Sequence, residues 1–417
     1  MKIRNSSGLL GFLVVIAGLE ALATTAMLPF VVVWAHDTAG LKGAAAGTLF
    51  MVQAVGEFGA GLVVGRLADR WGRRRVLVLS TFGMALGYGL LAITSGPAAS
   101  ILLFLAAGIF ESAFHPSIGA LVGDAVPADR LVSSFGFIRV AYNVGRIVGP
   151  MLGALAALVA TSMVFALTGA MLLVATLLAL AFLPADLGSH AEADDEEPEV
   201  PPGTLLALVR DRGLLTLVIS GGLISVTFTW FESDGLLLLR HQIPLTQTAY
   251  AGLFTVAAAV IVLAQWPVSR ITSKTPAGPT MLVGGVLQGI GLAALAFAAT
   301  GYQVLVGAVV LMAIGEAIYG PVLSTVVARR AGSSRRASYM AALSISEDIG
   351  SAIGPTSGLA LADRTHATLV WVIGGILSAV AGALNAFVSA RSATSRSEPT
   401  PESPVQKEPL RTSPDAP

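Results

Sequence analysis

The sequence predicts an all-α polytopic membrane protein, with twelve transmembrane helices arranged as two six-helix bundles. Three observations predict it. Only 12% of the 417 residues are charged and 54% are hydrophobic, against about 25% charged in a soluble domain. Residues 76–110, 147–185, 242–269 and 275–315 hold no Asp, Glu, Lys or Arg, and each stretch exceeds the roughly 20 residues that one span requires. The second half also repeats features of the first at a fixed offset. Helices follow because backbone groups in lipid must be satisfied within each segment. A barrel would instead show short alternating segments.

The spans read roughly as 8–34, 43–65, 75–95, 98–122, 131–158 and 162–184 in the first half. In the second half they read roughly as 213–239, 246–266, 278–299, 302–328, 335–361 and 367–390. The first run is long for a signal peptide, carries Glu20 and is followed by further spans. The organisation expected is a bundle over 1–184, an acidic cytoplasmic linker over 185–204, a second bundle over 205–390 and a disordered cytoplasmic tail over 391–417. The linker carries Glu192, Asp194, Asp195, Glu196, Glu197 and Glu199. The tail is rich in Ser, Pro and charge.

Twenty of the 25 Lys and Arg fall in the segments assigned to the inner side, against Lys42, Arg240 and Arg364 outside. The positive-inside bias therefore places both termini in the cytoplasm, and an even number of spans agrees with it. Trp34 reads as an anchor at the outer interface.

The formal net charge is 0, which gives no electrostatic footprint for nucleic acid. The chain has no Cys, so disulfides and thiolate chemistry are excluded. No nucleotide-binding P-loop is visible, which points to an ion gradient as the energy source. His115 and His366 read as isolated, and no metal cluster or nucleophile arrangement is visible. The expectation is a protein that is not an enzyme, needs no cofactor or metal, works as a monomer in lipid, and has small molecules and protons as its partners.

Glu111 and Pro116 match Glu316 and Pro321 at an offset of 205. Tyr142, Asn143 and Gly145 fall opposite Glu347, Asp348 and Gly350, and Gly149-Pro150 opposite Gly354-Pro355, at the same offset. Six spans per half relate the halves by an axis along the membrane normal and leave a central cavity able to open to either side.

Between spans 2 and 3 the chain reads Gly65-Arg-Leu-Ala-Asp69-Arg-Trp-Gly72-Arg73-Arg-Arg75. It closely resembles the signature loop of the major facilitator superfamily, G-x-L-x-D-R-x-G-R-R. The second-half counterpart, Ser269-Arg-Ile-Thr-Ser273-Lys274, lacks the acid. Asn143-Val-Gly145-Arg-Ile-Val-Gly149-Pro150-Met-Leu-Gly153 resembles the span-5 motif of the proton-coupled exporters, the bacterial twelve-span drug:proton antiporter branch. The resemblance covers about residues 8–390. It implies that Asp69 and Arg73 lock the cytoplasmic ends of the halves in the outward-facing state, with Asp124 as the partner of Arg73. Gly65 allows close helix approach and Gly72 a tight turn. Gly149-Pro150 and Gly354-Pro355 suit structural gating, since proline bends a helix and glycine lets a neighbour approach.

Charges inside spans are costly and mark cavities or partners. Glu20, Glu111 and Glu316 lie near the centres of spans 1, 4 and 10, which line the cavity in the family fold. They are the leading proton or substrate candidates, against the alternative of buried structural hydrogen bonds. Glu232 and Asp234, two residues apart in span 7, cannot point the same way on a regular helix. Glu347 and Asp348 place one carboxylate in the cavity and the other near span 2 or 8, and Glu57 suits gating or polar packing. Arg146 needs a carboxylate nearby, and Arg139 is read evenly as site or packing. Phe110, Phe114, Trp230, Phe231 and Tyr319 fall near these charges and are candidates for an apolar wall.

The function expected is secondary active transport, with proton-coupled efflux of small, partly hydrophobic compounds from the bacterial cytoplasmic membrane. Import or export of a sugar, peptide or metabolite uses the same fold. A receptor or assembly factor that has lost transport is the reading from another class.

Overall fold

The computed structural model describes residues 6–127, 130–184, 211–240, 242–272, 274–331 and 336–394. The acidic linker, and the tail beyond residue 394, lie outside the described residues. All regular elements among the described residues are helical.

Span 1 is α1 (Ser6–Met27), a 3-10 turn (Leu28–Phe30) and α2 (Val31–Asp37). Pro29 lies in that turn directly after α1; it has no N–H to continue the ladder and its ring crowds the preceding turn, which accounts for the interruption. Spans 2 and 3 are α3 (Ala44–Trp71) and α4 (Arg73–Leu90). Span 4 is split into α5 (Pro97–Glu111) and α6 (Phe114–Ala125). Spans 5 and 6 are α7 (Leu131–Ala157) and α8 (Thr161–Phe182). Span 7 is split into α9 (Arg212–Glu232) and α10 (Gly235–Arg240). Spans 8 to 12 are α11 (Gln247–Thr272), α12 (Ala277–Ala294) with a 3-10 turn to Thr300, α13 (Tyr302–Ala331), α14 (Arg336–Arg364) and α15 (Ala367–Thr394).

Eight of the expected spans (1, 4, 5, 6, 7, 9, 10 and 12) are long and apolar enough to cross a membrane by length and composition. The other four, α3, α4, α11 and α14, are helices within the same bundle. All four carry charge: Glu57 in α3, Arg73 to Arg75 in α4, Arg270 in α11, and Glu347 with Asp348 in α14.

Two expectations need correction. The signature segment is not a loop: α3 runs through to Trp71, and Gly72 alone separates it from α4. Gly72 has φ 88° and ψ 134°, a region open to glycine, and its N–H closes α3 on the carbonyl of Ala68 at 2.9 Å. In addition, α15 continues to Thr394, four residues into the segment expected to be tail.

The repeat recurs as packing. α7 lies on α1 in the first half, and α14 lies on α9 in the second. Gly145, Gly149 and Gly153 of α7 meet the α1 backbone around Ala21, Leu22 and Ala26. Gly350, Gly354 and Gly358 of α14, each 205 residues on, meet Gly222, Val226, Thr229 and Trp230 of α9. Without side chains in the way, the backbones approach closely and dispersion contacts replace the hydrophobic drive that lipid does not supply. Across the halves, α3 packs on α14 and α11 on α7.

The halves are joined at the end that the charge bias assigns outward. There the Ala44 N–H donates to Asp363 Oδ2 at 2.9 Å, and Gly47 is tight against the backbone of Pro355 and Thr356. Short α10 touches the 3-10 turn and α2 of the other half. Trp34 is not an interface anchor: it is fully buried and packs on the Phe165 ring, 4.6 Å between centroids. Packing of α2 on α8 within the first half covers the position that composition alone places at the lipid surface.

Candidate substrate and proton site

A cavity of about 260 Å³ lies between the halves. The first half contributes Thr24, Thr25, Met27 and Leu28 at the bend of span 1, Phe50, Gln53, Glu57 and Phe58 of α3, and Glu111 at the end of α5. The second contributes Thr229 and Glu232 at the end of α9, and Asp348 and Ser351 of α14. Three spans interrupted at cavity level (1, 4 and 7) therefore frame it. Interrupted helices are a recurrent way of building a site inside a membrane, because their freed backbone groups face a cavity and not lipid.

Glu111 is held in place. Gln53 Nε2 donates to its Oε2 at 2.9 Å, and Tyr88 OH donates to the same oxygen at 2.7 Å. Spans 2, 3 and 4 thus meet at one carboxylate. Glu20 is buried and off the cavity wall, yet close enough for Glu111 and Glu57 to act on it electrostatically. Glu57 lines the cavity and feels both Glu111 and Asp348.

Mixed charge lies beside the cavity, next to Glu232 of its lining. Arg146 of α7 acts on Glu232 and Glu316, supplying the nearby carboxylates that a cation in a span requires. The Oε2 of Glu316 is buried without a hydrogen-bond partner. Glu232 and Asp234 separate as expected: Glu232 lines the cavity, whereas Asp234 is fully buried. Asp348 faces the cavity, and Glu347 lies beside Gly221 of α9. Ser225 Oγ holds this register by donating to the Glu347 carbonyl at 2.8 Å.

The aromatic candidates do not build the cavity wall. Trp230 is buried, its Nε1 donating to Ser357 Oγ at 3.1 Å. Tyr319 is buried in an apolar cluster and accepts from Asn385 Nδ2 at 2.6 Å. Phe110 packs on Gly83 of α4, Phe114 is fully buried, and Phe231 stacks with Phe254. The aromatic residues that do line the cavity are Phe50 and Phe58. Gln53 precedes Glu57 by one helical turn, so the two share a face of α3; that spacing was the available signal for both. His115 is not isolated: its Nδ1 lies 3.0 Å from Tyr142 OH, tying α6 to α7. Arg139 lies exposed on α7.

Of the gating candidates, Arg73 Nη1 lies 2.6 Å from Asp124 Oδ1. Both belong to the first half, so this pair ties α4 to α6 and does not bridge the halves. The side chains of Gly65 and Asp69 lie outside the described residues. The second half has a different inner clamp. Asp211 caps α9, accepting from the N–H groups of Gly213 (3.0 Å) and Leu214 (3.1 Å). Arg330 of α13 reaches the same carboxylate in bidentate fashion, at 2.6 Å from Oδ1 and 2.9 Å from Oδ2, and Tyr339 of α14 donates to it at 3.1 Å. Burial opposes ionisation of Asp211, but the Arg330 bonds and the capping N–H groups outweigh it and hold the carboxyl down at about 2.

A bundle of two like halves around a charged cavity is the architecture of a membrane transporter. The Major Facilitator Superfamily profile matches residues 13–301 and 235–415, and the chain belongs to that family. It is 26% identical over 400 residues to the class G tetracycline resistance protein of Vibrio anguillarum, covering 89% of this chain and 95% of the relative. It is 24% identical to a Na(+), Li(+), K(+)/H(+) antiporter of Planococcus maritimus, covering 79% and 84% of the two chains. A crystal structure of the nucleoside transporter NupG superimposes with a TM-score of 0.77 at 16% identity, covering 92% of this chain and 98% of that one. That likeness concerns the fold alone. The chain is thus a multi-pass membrane transporter whose relatives include drug-resistance and antiporter proteins.

Proposed function

We propose that the chain exports small, partly hydrophobic compounds in exchange for protons, by alternating access across the bacterial cytoplasmic membrane with both termini in the cytoplasm. The observation that carries this is the cavity between the halves. Glu57, Glu111, Glu232 and Asp348 supply titratable groups, and Met27, Leu28, Phe50 and Phe58 supply an apolar wall. Its volume of about 260 Å³ sits just below the roughly 300–1,000 Å³ of drug-sized pockets, which suits a compact cargo. Ionised carboxylates favour a cation or a polar cargo group; protonation neutralises them and releases it. Cargo and proton competing for one set of carboxylates produce exchange.

Gly65, Asp69, Gly72, Arg73 and Asp124 form the inner gate in this reading, and Gly149-Pro150 and Gly354-Pro355 are the bends about which spans 5 and 11 rock. The Arg73–Asp124 pair is then the resting arrangement of the inner gate while the outer ends are joined.

The test is flux in proteoliposomes with and without an imposed pH gradient, using tetracycline, a lipophilic cation, Na(+) and K(+). Gradient-driven accumulation of an organic compound, with proton movement in the opposite direction, is expected. Organic flux indifferent to the gradient defeats proton exchange. Proton movement driven by Na(+) or K(+) alone makes an inorganic cation the cargo, the reading that an acid-rich cavity also supports.

A further inference from the structure

Asp234 lies in the break between α9 and α10, two residues past the cavity-lining Glu232. Its side chain is fully buried, and neither carboxyl oxygen has a hydrogen-bond partner. The Ser233 hydroxyl beside it is buried and unpartnered as well. The corner exists because α14 presents Gly358: a Cβ there would press on Asp234 Oδ2 and on the Trp230 ring. Tyr250 of α11 closes another side, its hydroxyl committed to the carbonyl of Phe231.

The titratable groups nearest this corner are Tyr250, which feels both Asp234 and Glu232, and Glu232 on the same span. The charged groups on the neighbouring elements are engaged elsewhere. Asp363 of α14 accepts from Ala44, Glu316 of α13 feels Arg146, and Arg240 of α10 lies 4.0 Å from Asp37 of the other half. Among the described residues, Asp234 therefore has no hydrogen-bond donor and no counter-charge acting on it. It is also directly joined to α10, the short helix that touches the other half where the outer ends meet.

We propose that Asp234 is a proton-binding latch on the outer gate, taking a proton from the external solution as the gate shuts and ionised once the gate opens. A carboxylate sealed from water without donors is the costly form, so the shut state holds the neutral acid. When the halves part at the outer end, α10 loses its seat on span 1; freed there, it lifts from the corner that Gly358, Trp230 and Tyr250 close within the second half, and water enters. The carboxyl O–H then breaks, its proton passes to external water, and the carboxylate is hydrated; closing reverses both steps. No proton crosses the membrane through this residue, which separates it from the cavity carboxylates. By linkage, external acid favours the shut gate. The inference rests on alternating access and not on the cargo, so it stands or falls apart from the export reading.

The chain has no Cys, so two introduced cysteines report cleanly. Spin labels at Thr38→Cys and His366→Cys, one on each half at the outer end, give the distance between halves. The measurement uses vesicles of defined sidedness without added cargo, the interior held neutral and the external pH stepped from mildly acidic to mildly alkaline. The ratio of shut to open molecules is expected to rise as external pH falls, by at most about tenfold per pH unit for one proton. Asp234→Asn, which is always neutral, is expected to stay shut and lose the slope. Gly358→Ala keeps the acid but crowds its seat, and is expected to move the midpoint to lower pH. A wild-type slope in Asp234→Asn overturns the latch. Should that variant fail to fold, an unmoved midpoint in Gly358→Ala overturns it equally.

Discussion

Glu111 and Glu316 occupy equivalent places in the repeat, yet their surroundings differ. Glu111 accepts hydrogen bonds from Gln53 and Tyr88, whereas Glu316 keeps a buried oxygen without a partner and faces the charge of Arg146. At the offset of 205, Gln53 and Tyr88 stand opposite Ala258 and Ala293, which have nothing to donate. The copies therefore conserve the acid and not its donors. One carboxylate is fixed as an acceptor within its half, and the other is left dependent on a cation. A repeat thus transmits position, and the neighbours decide chemistry.

The sharpest way to break this comparison is to neutralise each acid. Glu316→Gln should reduce gradient-driven accumulation by roughly tenfold or more, because Arg146 loses a partner and its charge then falls on the cavity-lining Glu232 alone. Glu111→Gln should cost only a few-fold, since the amide oxygen still accepts from Gln53 and Tyr88 and Glu57, Glu232 and Asp348 remain in the cavity to titrate. Proteoliposome flux with proton movement recorded together checks both, and the reverse order would dissolve the contrast. Glu111→Ala should instead cost about 1–3 kcal/mol of stability, read by thermal unfolding, through two donors left unpaired.

The two glycine stripes provide a comparison in which the halves should agree. Gly149→Leu and Gly354→Leu each force a side chain into a helix contact, and each should cost roughly 1–3 kcal/mol by overpacking. Thermal unfolding of the two variants side by side is the measurement. A large effect in one half alone would mean that the repeat does not extend to packing.

The inner clamps give the smallest and most divergent pair. Asp211→Asn should cost about 1–2 kcal/mol, because a helix cap and a bidentate ion pair depend on that carboxylate. Arg73→Ala should cost about 0–1 kcal/mol, because its pair with Asp124 is partly exposed. Asp211 also gives a pH signature. Its carboxyl is held at about 2, below the ordinary 3.8, so its contribution is fully present above about 4 and is lost as pH falls from 3.8 towards 2. Unfolding followed through this acid range should show a step that Asp211→Asn removes.

Much of the fold was legible because lipid leaves the backbone few options. Uncharged runs of span length must be helices, and a repeat in sequence must recur as a repeat in packing. The eight most apolar spans were visible on composition alone. The break in span 7 was not: it falls at Ser233–Asp234, beside the single Gly235. The break in span 4, at Ser112–Ala113, had a signal in Pro116, which lacks the N–H that would bond the Ser112 carbonyl. Trp34 was misplaced for a related reason: an aromatic residue near a span end is an anchor only if no other segment covers it.

The sequence by itself determined the helical class, the two-fold repeat and the set of charges inside the spans, since each follows from composition, periodicity and the cost of charge in lipid. Tertiary structure alone decided which of those charges meet. It set Glu57, Glu111, Glu232 and Asp348 around one cavity, sent Trp230 and Tyr319 into packing, and sealed Asp234 behind Gly358. The physical reason is that a one-dimensional pattern fixes the depth of a residue in the membrane, whereas its partner is fixed by rotation and contact between helices far apart in the chain.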